Sequence, residues 1–286
     1  LNSLFSKADK QIQVYDFNLY MTNNDQNNEL TILSDLVDAA VKGNYKLTEL
    51  PDIFLRYLNS YLPAVVDAPE KTLTSWDDTE IDFHVQFKQS ESFFNFFFPE
   101  YLIAKNTEVN GRFSPRKPDD VRLNIISSEI TYQNNAFEGF VMNIYNEDSA
   151  IRADLGSQNL RINQSASLEN FTLETHITTD QVKFETRWLN WDTSVHKGAI
   201  SGIACFDKVG GENIYAFDVN PASIVINDTL WKVSAFSMKI DTSGIEVKDL
   251  QINKRKEYIE ANGKLSDMPG DTLHFMFEQF NLKNFN

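Results

Sequence analysis

The chain has 286 residues, 42% of them hydrophobic and 13% aromatic, enough to bury one large core or two ordinary ones, which excludes a disordered chain. Its 26 basic and 41 acidic residues leave a formal charge of -15, which argues against nucleic acid or an anionic membrane surface as the main partner. The single cysteine, Cys205, excludes an intrachain disulfide and a cysteine-rich metal site.

No run reaches the roughly 18 apolar residues that a membrane-spanning helix requires. Leu1 begins neither with Met nor with a signal-peptide pattern, so the sequence reads as a piece of a longer protein. Most of it alternates apolar and polar residues over short stretches rich in Phe, Val, Ile, Thr and Tyr, which predicts a mainly β chain.

The first such stretch, IQVYDFNL, places Ile12, Val14, Phe17 and Leu19 in the order apolar-x-apolar-x-x-apolar-x-apolar. Side chains alternate faces along a strand, so the extra residue sends the second pair to the opposite side unless a bulge or bend restores the face. Asp16, with turn chemistry, stands at that position, and a kink is predicted there. VKGNY follows, with Gly43 inside a strand pattern, which marks a bulge, a bend or a close backbone approach.

TELPDIFLRYLNSYLP predicts an amphipathic helix near 48–62, with Thr48 capping, Glu49 and Pro51 in the first turn, and Ile53, Leu55, Leu58 and Leu62 approximately on one face. The acidic WDDTEID, from Trp76 to Asp82, lacks the D-x-D-x-D-G arrangement of a calcium loop and reads as the solvated lead-in to the strand EIDFHVQF. SESFFNFFFPEYL then crowds Phe93, Phe94, Phe96, Phe97 and Phe98 into a short helix near 91–98, which Ser90 or Ser92 can cap and Pro99 stops. A helix apolar all round is normally buried, so it reads as a plug over apolar strands, with direct contact to a guest as the other reading.

VNGRF carries a second strand glycine, Gly111, and SPRKPDD reads as a long hairpin connection. The repeat then returns as a partial copy in FEGFVM (Phe137, Phe140, Met142). Further copies are ASLENFTL (Ala166, Leu168, Phe171, Leu173), IEVKDLQI (Ile245, Val247, Leu250, Ile252) and FMFEQFNL (Phe275, Phe277, Phe280, Leu282). Asn170 and Asp249 occupy the kink position, and ISGIA (Gly202) and ANGKL (Gly263) repeat the glycine element. Together these elements predict an extended, curved, mostly antiparallel sheet built from degenerate repeats, one continuous fragment with soft subdivisions at 1–66, 78–206 and 214–286.

Candidates for chemistry are few. His84, His176, His196 and His274 are widely separated and none has a second His or Cys at metal-ligand spacing, so they read as strand-surface or partly buried residues, with no metal or cofactor expected. No G-x-S-x-G, H-E-x-x-H, Walker or dinucleotide pattern is present, and no catalytic residue is assigned. Sequons at Asn163, Asn170 and Asn227 arise easily by chance in an Asn-rich chain. Trp188, Trp191 and Trp231 read as core residues of strands, with a carbohydrate platform as the alternative.

The apolar stripe raises the functional question, because a sheet with one apolar face covers it with another sheet, a helix or a ligand. An ordinary sandwich core and an open groove both fit the periodicity. In the groove reading the second apolar pair of each repeat lines one side: Phe17 and Leu19, Phe140 and Met142, Phe171 and Leu173, Leu250 and Ile252, Phe280 and Leu282.

The order of SDLVDAAVKGNYKLTELPDIFLRYLNSYLP, the Phe-rich turn ending at Pro99, VNGRFSP, FETRWLNWDTSVHKGAISGIACF and the stretch from Asn220 to Phe285 resembles the TamB translocation and assembly proteins of Bacteroidetes, within the AsmA-like group. The resemblance covers nearly the whole chain and is most specific from Asn220 onward. It implies a middle segment of a periplasmic cell-envelope protein, anchored in the inner membrane and reaching a BamA-type outer-membrane assembly partner through regions not recognisable in this sequence. It also implies a taco-like or half-pipe sheet whose interior carries lipid acyl chains or strands of outer-membrane proteins, without catalytic residues. The rival reading is a surface carbohydrate-binding or adhesin-like sandwich, which predicts Trp188 and Trp191 exposed beside polar residues.

Overall fold

The computed structural model describes residues 2–7, 10–24, 27–117, 120–163, 166–191 and 195–279. The chain is mainly β and antiparallel, with two helices among the described residues, and it divides into two compact units. The first comprises Leu1–Tyr57 and Pro69–Glu169, the second Leu58–Ala68 and Asn170–Asn286.

The first unit opens with the hairpin of β1 (Ser3–Lys7) and β2 (Lys10–Val14). A sheet follows: β3 (Asn18–Asn24), β4 (Asn27–Leu33), β5 (Val37–Asn44), then helix α1 (Leu50–Tyr61), β6 (Glu80–Phe87), helix α2 (Ser90–Phe97), β7 (Tyr101–Ile103), β8 (Thr107–Phe113), β9 (Arg122–Tyr132), β10 (Asn135–Glu147) and β11 (Ala150–Ile162). The pairing runs β3-β4-β5-β6-β8-β9-β10-β11, and β7 adds to the end of β9.

The second unit holds β12 (Ala166–Thr178, whose first residues fall in the first unit), β13 (Gln181–Trp191), β14 (Val195–Val209), β15 (Glu212–Val219), β16 (Ala222–Ile226), β17 (Thr229–Val233), β18 (Phe236–Asp241), β19 (Gly244–Lys254), β20 (Glu257–Ser266) and β21 (Leu273–Glu278). The order is β12-β13-β14, after which β15-β18 and β16-β17 lie in parallel paths that rejoin at β19, followed by β20 and β21. Trp231 is fully buried in this unit, with the Lys254 ammonium 5.1 Å from its ring centroid. The segment after α1 belongs to the same unit: Asp180 N–H donates to the Tyr61 carbonyl at 2.8 Å, and Ala64 N–H donates to Asp180 Oδ1 at 2.8 Å.

The predicted kinks occur at the expected positions. Asp16, Asn170 and Asp249 have φ of 51°, 48° and 61°, and Gly139 and Gln279, at the same place in the other two copies, have 59° and 48°. In β19 the register shifts: Val247 faces Gly263 and Leu250 faces Ala261, so three steps on one strand match two on the other. Gly263 and Ala261 share a face, so the bulge brings Val247 and Leu250 to that face as well.

The strand glycines have two distinct causes. Gly43 (φ +135°) and Gly263 (φ +120°) sit where an added Cβ would fall 2.0 Å from the Glu80 carbonyl oxygen and 2.2 Å from that of Thr272. Gly111 and Gly202 instead lie under rings, those of Phe83 and Phe184, each directly across the ladder. Gly198 under Trp188 repeats the device.

Both helices differ from the sequence expectation at their starts. α1 begins at Leu50, because the Glu49 carbonyl accepts the first helical bond, from Ile53 N–H at 2.9 Å. Glu49, not Thr48, therefore occupies the capping position, and its carboxylate holds a neighbouring loop instead. It accepts from the N–H groups of Thr74 and Ser75, both at 3.0 Å, and from both hydroxyls at 2.8 Å. α2 begins at Ser90 with Gln89 as its N-cap residue and no side-chain capping bond, so neither predicted serine performs that role.

Candidate functional site: an apolar sheet face

Antiparallel partners point to the same face of a sheet, so the register of the first unit can be followed across eight strands. One row reads Leu19, Ile32, Ala39, Val85, Val109, Ile125, Met142 and Leu155. Two residues along, the next reads Met21, Leu30, Val41, Phe83, Gly111, Leu123, Ile144 and Ala153. Both rows are apolar throughout. On the opposite face, the row between them carries His84, Asn110, Asn124, Asn143 and Asp154, and the row beyond the second carries Lys42, Asp82, Arg112, Arg122 and Tyr145.

The two helices cover the ends of the apolar face. At one end, Phe54 and Tyr57 of α1 meet the Phe113 ring at centroid distances of 4.5 and 5.1 Å, and the Tyr57 hydroxyl donates to Asn146 Oδ1 at 2.5 Å. Ile53, Ile81, Phe113 and Ile151 are buried there. At the other end, Phe93 and Phe94 of α2 pack on Phe87 at 5.6 and 5.2 Å, above a row in which Thr107, Ser127 and Phe140 are buried. Between these ends, the side chains of β5 to β11 in the two apolar rows are only half-buried. A half-buried apolar strip lies between the two helix-covered ends.

The second unit repeats the pattern. Ile177, Val182, Ala204, Phe217, Met238, Val247, Gly263 and Leu273 form one row across β12, β13, β14, β15, β18, β19, β20 and β21. Val233, Ile252, Ile259 and Phe277 form another. Ala204, Val233 and Val247 are buried, while most of the rest are half-buried.

Of the residues expected to line a groove, Leu19 and Met142 stand in the same row of the first unit, Leu19 being 52% exposed. Phe140 lies in the buried end row, and Phe17 packs against the cluster of Ile12, Val14, Leu36 and Phe96. In the second unit Phe171, Leu173, Leu250 and Ile252 are half-buried. Phe280 and Leu282 lie outside the described residues.

Within the plug, Phe94 and Phe96 are buried, Phe93 is half-buried, and Phe97 and Phe98 are exposed. The rows also recruit Val85, Val109, Ile125 and Leu155, which belong to no repeat copy. In sequence, Val85 is marked by the alternation of EIDFHVQF and Val109 by the strand element VNGRF.

The remaining candidates separate. His84 is exposed on the polar face with Nδ1 2.6 Å from Asn110 Oδ1. In the acidic stretch, Asp77 pairs with Arg116 at 3.0 Å and Glu80 with Lys117 at 3.2 Å, and Lys117 first, then Arg112, holds the Glu80 carboxyl below its usual range. No group of carboxylate, His and Cys side chains suited to a metal ion exists among the described residues. Trp231 is a buried core residue and Trp188 is half-buried with its ring against Gly198, whereas Trp191 is 68% exposed, contrary to the core expectation. No described helix is long and apolar enough to cross a membrane. No protein-family model matches the chain, and neither a curated protein nor a solved structure is significantly similar to it.

Proposed function

We propose that the chain is a non-enzymatic segment of a bacterial envelope protein that holds elongated apolar cargo along its sheet, assisting outer-membrane biogenesis by lipid transfer. The observation that carries this reading is the pair of apolar rows running unbroken across eight strands, half-buried from β5 to β11 while the rows under the two helices are buried. A sandwich core would bury the middle rows too, because core side chains are close-packed. A lipid acyl chain suits such a strip better than a compact ligand, since the strip is long and carries no polar group to orient one. The resemblance to TamB-type proteins points the same way, including the periplasmic location and a BamA-type partner reached through other regions.

Strands of outer-membrane proteins are the other cargo the resemblance implies, but they would require free ladder hydrogen bonds as well as an apolar surface. The carbohydrate-module alternative needs Trp188 and Trp191 as a joint platform, and Trp188 is committed to Gly198. Native mass spectrometry of gently purified protein tests the proposal. Phospholipid or fatty acid retained by the chain supports it, and a chain that neither retains lipid nor takes up added fatty acid contradicts it.

A further inference from the structure

The polar side of the first unit's sheet carries a depression. Its volume is about 860 Å³, and its lining includes Asp82, Arg112, Arg122, Asn124, Asn143 and Asp154, with Phe83, Leu123 and Ile144 also contributing to the wall. Its volume lies within the range of roughly 300–1,000 Å³ usual for small-ligand sites.

Its chemistry is ordered in two rows. The amides of Asn110, Asn124 and Asn143 are cross-strand neighbours, with Asn124 Nδ2 donating to Asn143 Oδ1 at 2.9 Å. Asn110 Oδ1 already meets His84 Nδ1 and one Asn124 N–H is used on Asn143 Oδ1, and the remaining amide donors and acceptors complement vicinal hydroxyl groups. This row ends at Asp154, whose Oδ2 accepts from the hydroxyl of Tyr145, in the neighbouring row, at 3.1 Å. Burial, then the Asp154 carboxylate, raises the Tyr145 phenol, which keeps it a donor.

The second row places Arg112 directly opposite Arg122. Like charges directly opposite are destabilising, a repulsion that nearby negative groups offset. Arg112 is held by Glu80, Asp82 and Asp120, yet its buried Nε has no acceptor. Among the described residues Arg122 has no carboxylate ion-pair partner, which is also true of Arg56 and Arg255, whereas Arg116, Arg152, Arg161 and Arg187 each have one. The exposed Arg122 guanidinium and the unused Arg112 Nε–H beside a row of amides offer donors to an anionic group attached to hydroxyls.

We infer that this depression binds an acidic saccharide, its carboxylate or phosphate between Arg112 and Arg122 and its hydroxyls on the Asn110–Asn124–Asn143 row. The inference stands apart from the lipid proposal, because it uses the opposite face of the sheet.

Calorimetric titration of the whole chain with trigalacturonate, glucose 6-phosphate and fully methyl-esterified trigalacturonate tests it. One acidic sugar is expected to bind saturably, at least tenfold tighter than the ester, and Arg122→Gln is expected to weaken it at least tenfold. Asn124→Ala is expected to weaken it severalfold, with the anion contact intact. Trigalacturonate binding identifies a carboxylate site and glucose 6-phosphate a phosphate site. Failure of both acidic sugars, equal binding of the ester, or undiminished binding by Arg122→Gln overturns the inference. Arg122 is exposed, so its substitution leaves folding intact, as a matched thermal unfolding curve will show.

Discussion

Phe137 and Phe140 meet ring to ring at 5.9 Å, nearly perpendicular, although residues three apart on an even strand point to opposite faces. Gly139 between them, at φ +59°, turns the backbone and returns Phe140 to the side of Phe137. The same left-handed residue recurs in every copy of the repeat. It converts a sequence with an awkward three-residue step into one continuous apolar face.

The kink position should therefore tolerate Gly and reject β-branched residues. Asp249→Val is expected to cost about 1–2 kcal/mol, the usual cost of the left-handed region for a residue with a bulky Cβ. Asp249→Gly is expected to be neutral or stabilising. Chemical denaturation of the two variants distinguishes a conformational requirement from a simple loss of the carboxylate.

The aromatic-over-glycine pairs predict a specific coupling. A Cβ at Gly111 would lie 2.3 Å from Phe83 Cζ, so Gly111→Val must displace the ring, and overpacking of this kind costs roughly 1–3 kcal/mol. Phe83→Leu removes the obstructing ring and should recover part of that loss. A double-mutant cycle that shows simple additivity would separate the two residues.

The cover provided by α1 depends on Ile53, which is fully buried, and on Tyr57. Ile53→Ala is expected to destabilise by about 2–5 kcal/mol through lost burial and a residual cavity. Tyr57→Phe should lose about 1 kcal/mol with the hydrogen bond to Asn146. Thermal unfolding measures both.

The Glu49 carboxyl predicts an acid-side dependence. Hydrogen bonds from Ser75 N–H and Oγ and from Thr74 Oγ1, strengthened by Lys46, lower its pKa from 4.5 to about 2. A depressed folded pKa adds stability that is present above the unfolded value and is lost as pH falls through the folded one. The difference in unfolding midpoint between the native chain and Glu49→Gln should therefore be constant above pH 5 and shrink between about pH 4.5 and pH 2. A difference independent of pH over that window contradicts the assignment.

Much of this was legible in sequence, for a physical reason. Period-two alternation identifies strands, and an extra residue with turn chemistry identifies a kink, so Asp16, Asn170 and Asp249 could be marked as bends before any coordinates were known. Gly111 was readable as a close approach, but not as an approach by Phe83, since that requires the register of β6 against β8. The apolar rows and the amide row share this property: Val109, Ile125 and Met142, or Asn110, Asn124 and Asn143, become neighbours only when β8, β9 and β10 are paired. Glu49 was misassigned because helix-start chemistry and loop-holding chemistry use the same residue types.

The central claim is that the half-buried apolar strip contacts acyl chains. Met142 and Asn143 are adjacent on β10 and point to opposite faces, so they provide a probe and its own control. A photo-crosslinking phenylalanine analogue placed at each position, in folded protein incubated with phospholipid vesicles, reads the contact directly. Lipid adducts at position 142 and background labelling at 143 are the expected result. Absence of lipid adducts at 142, or equal labelling at both positions, would contradict the account.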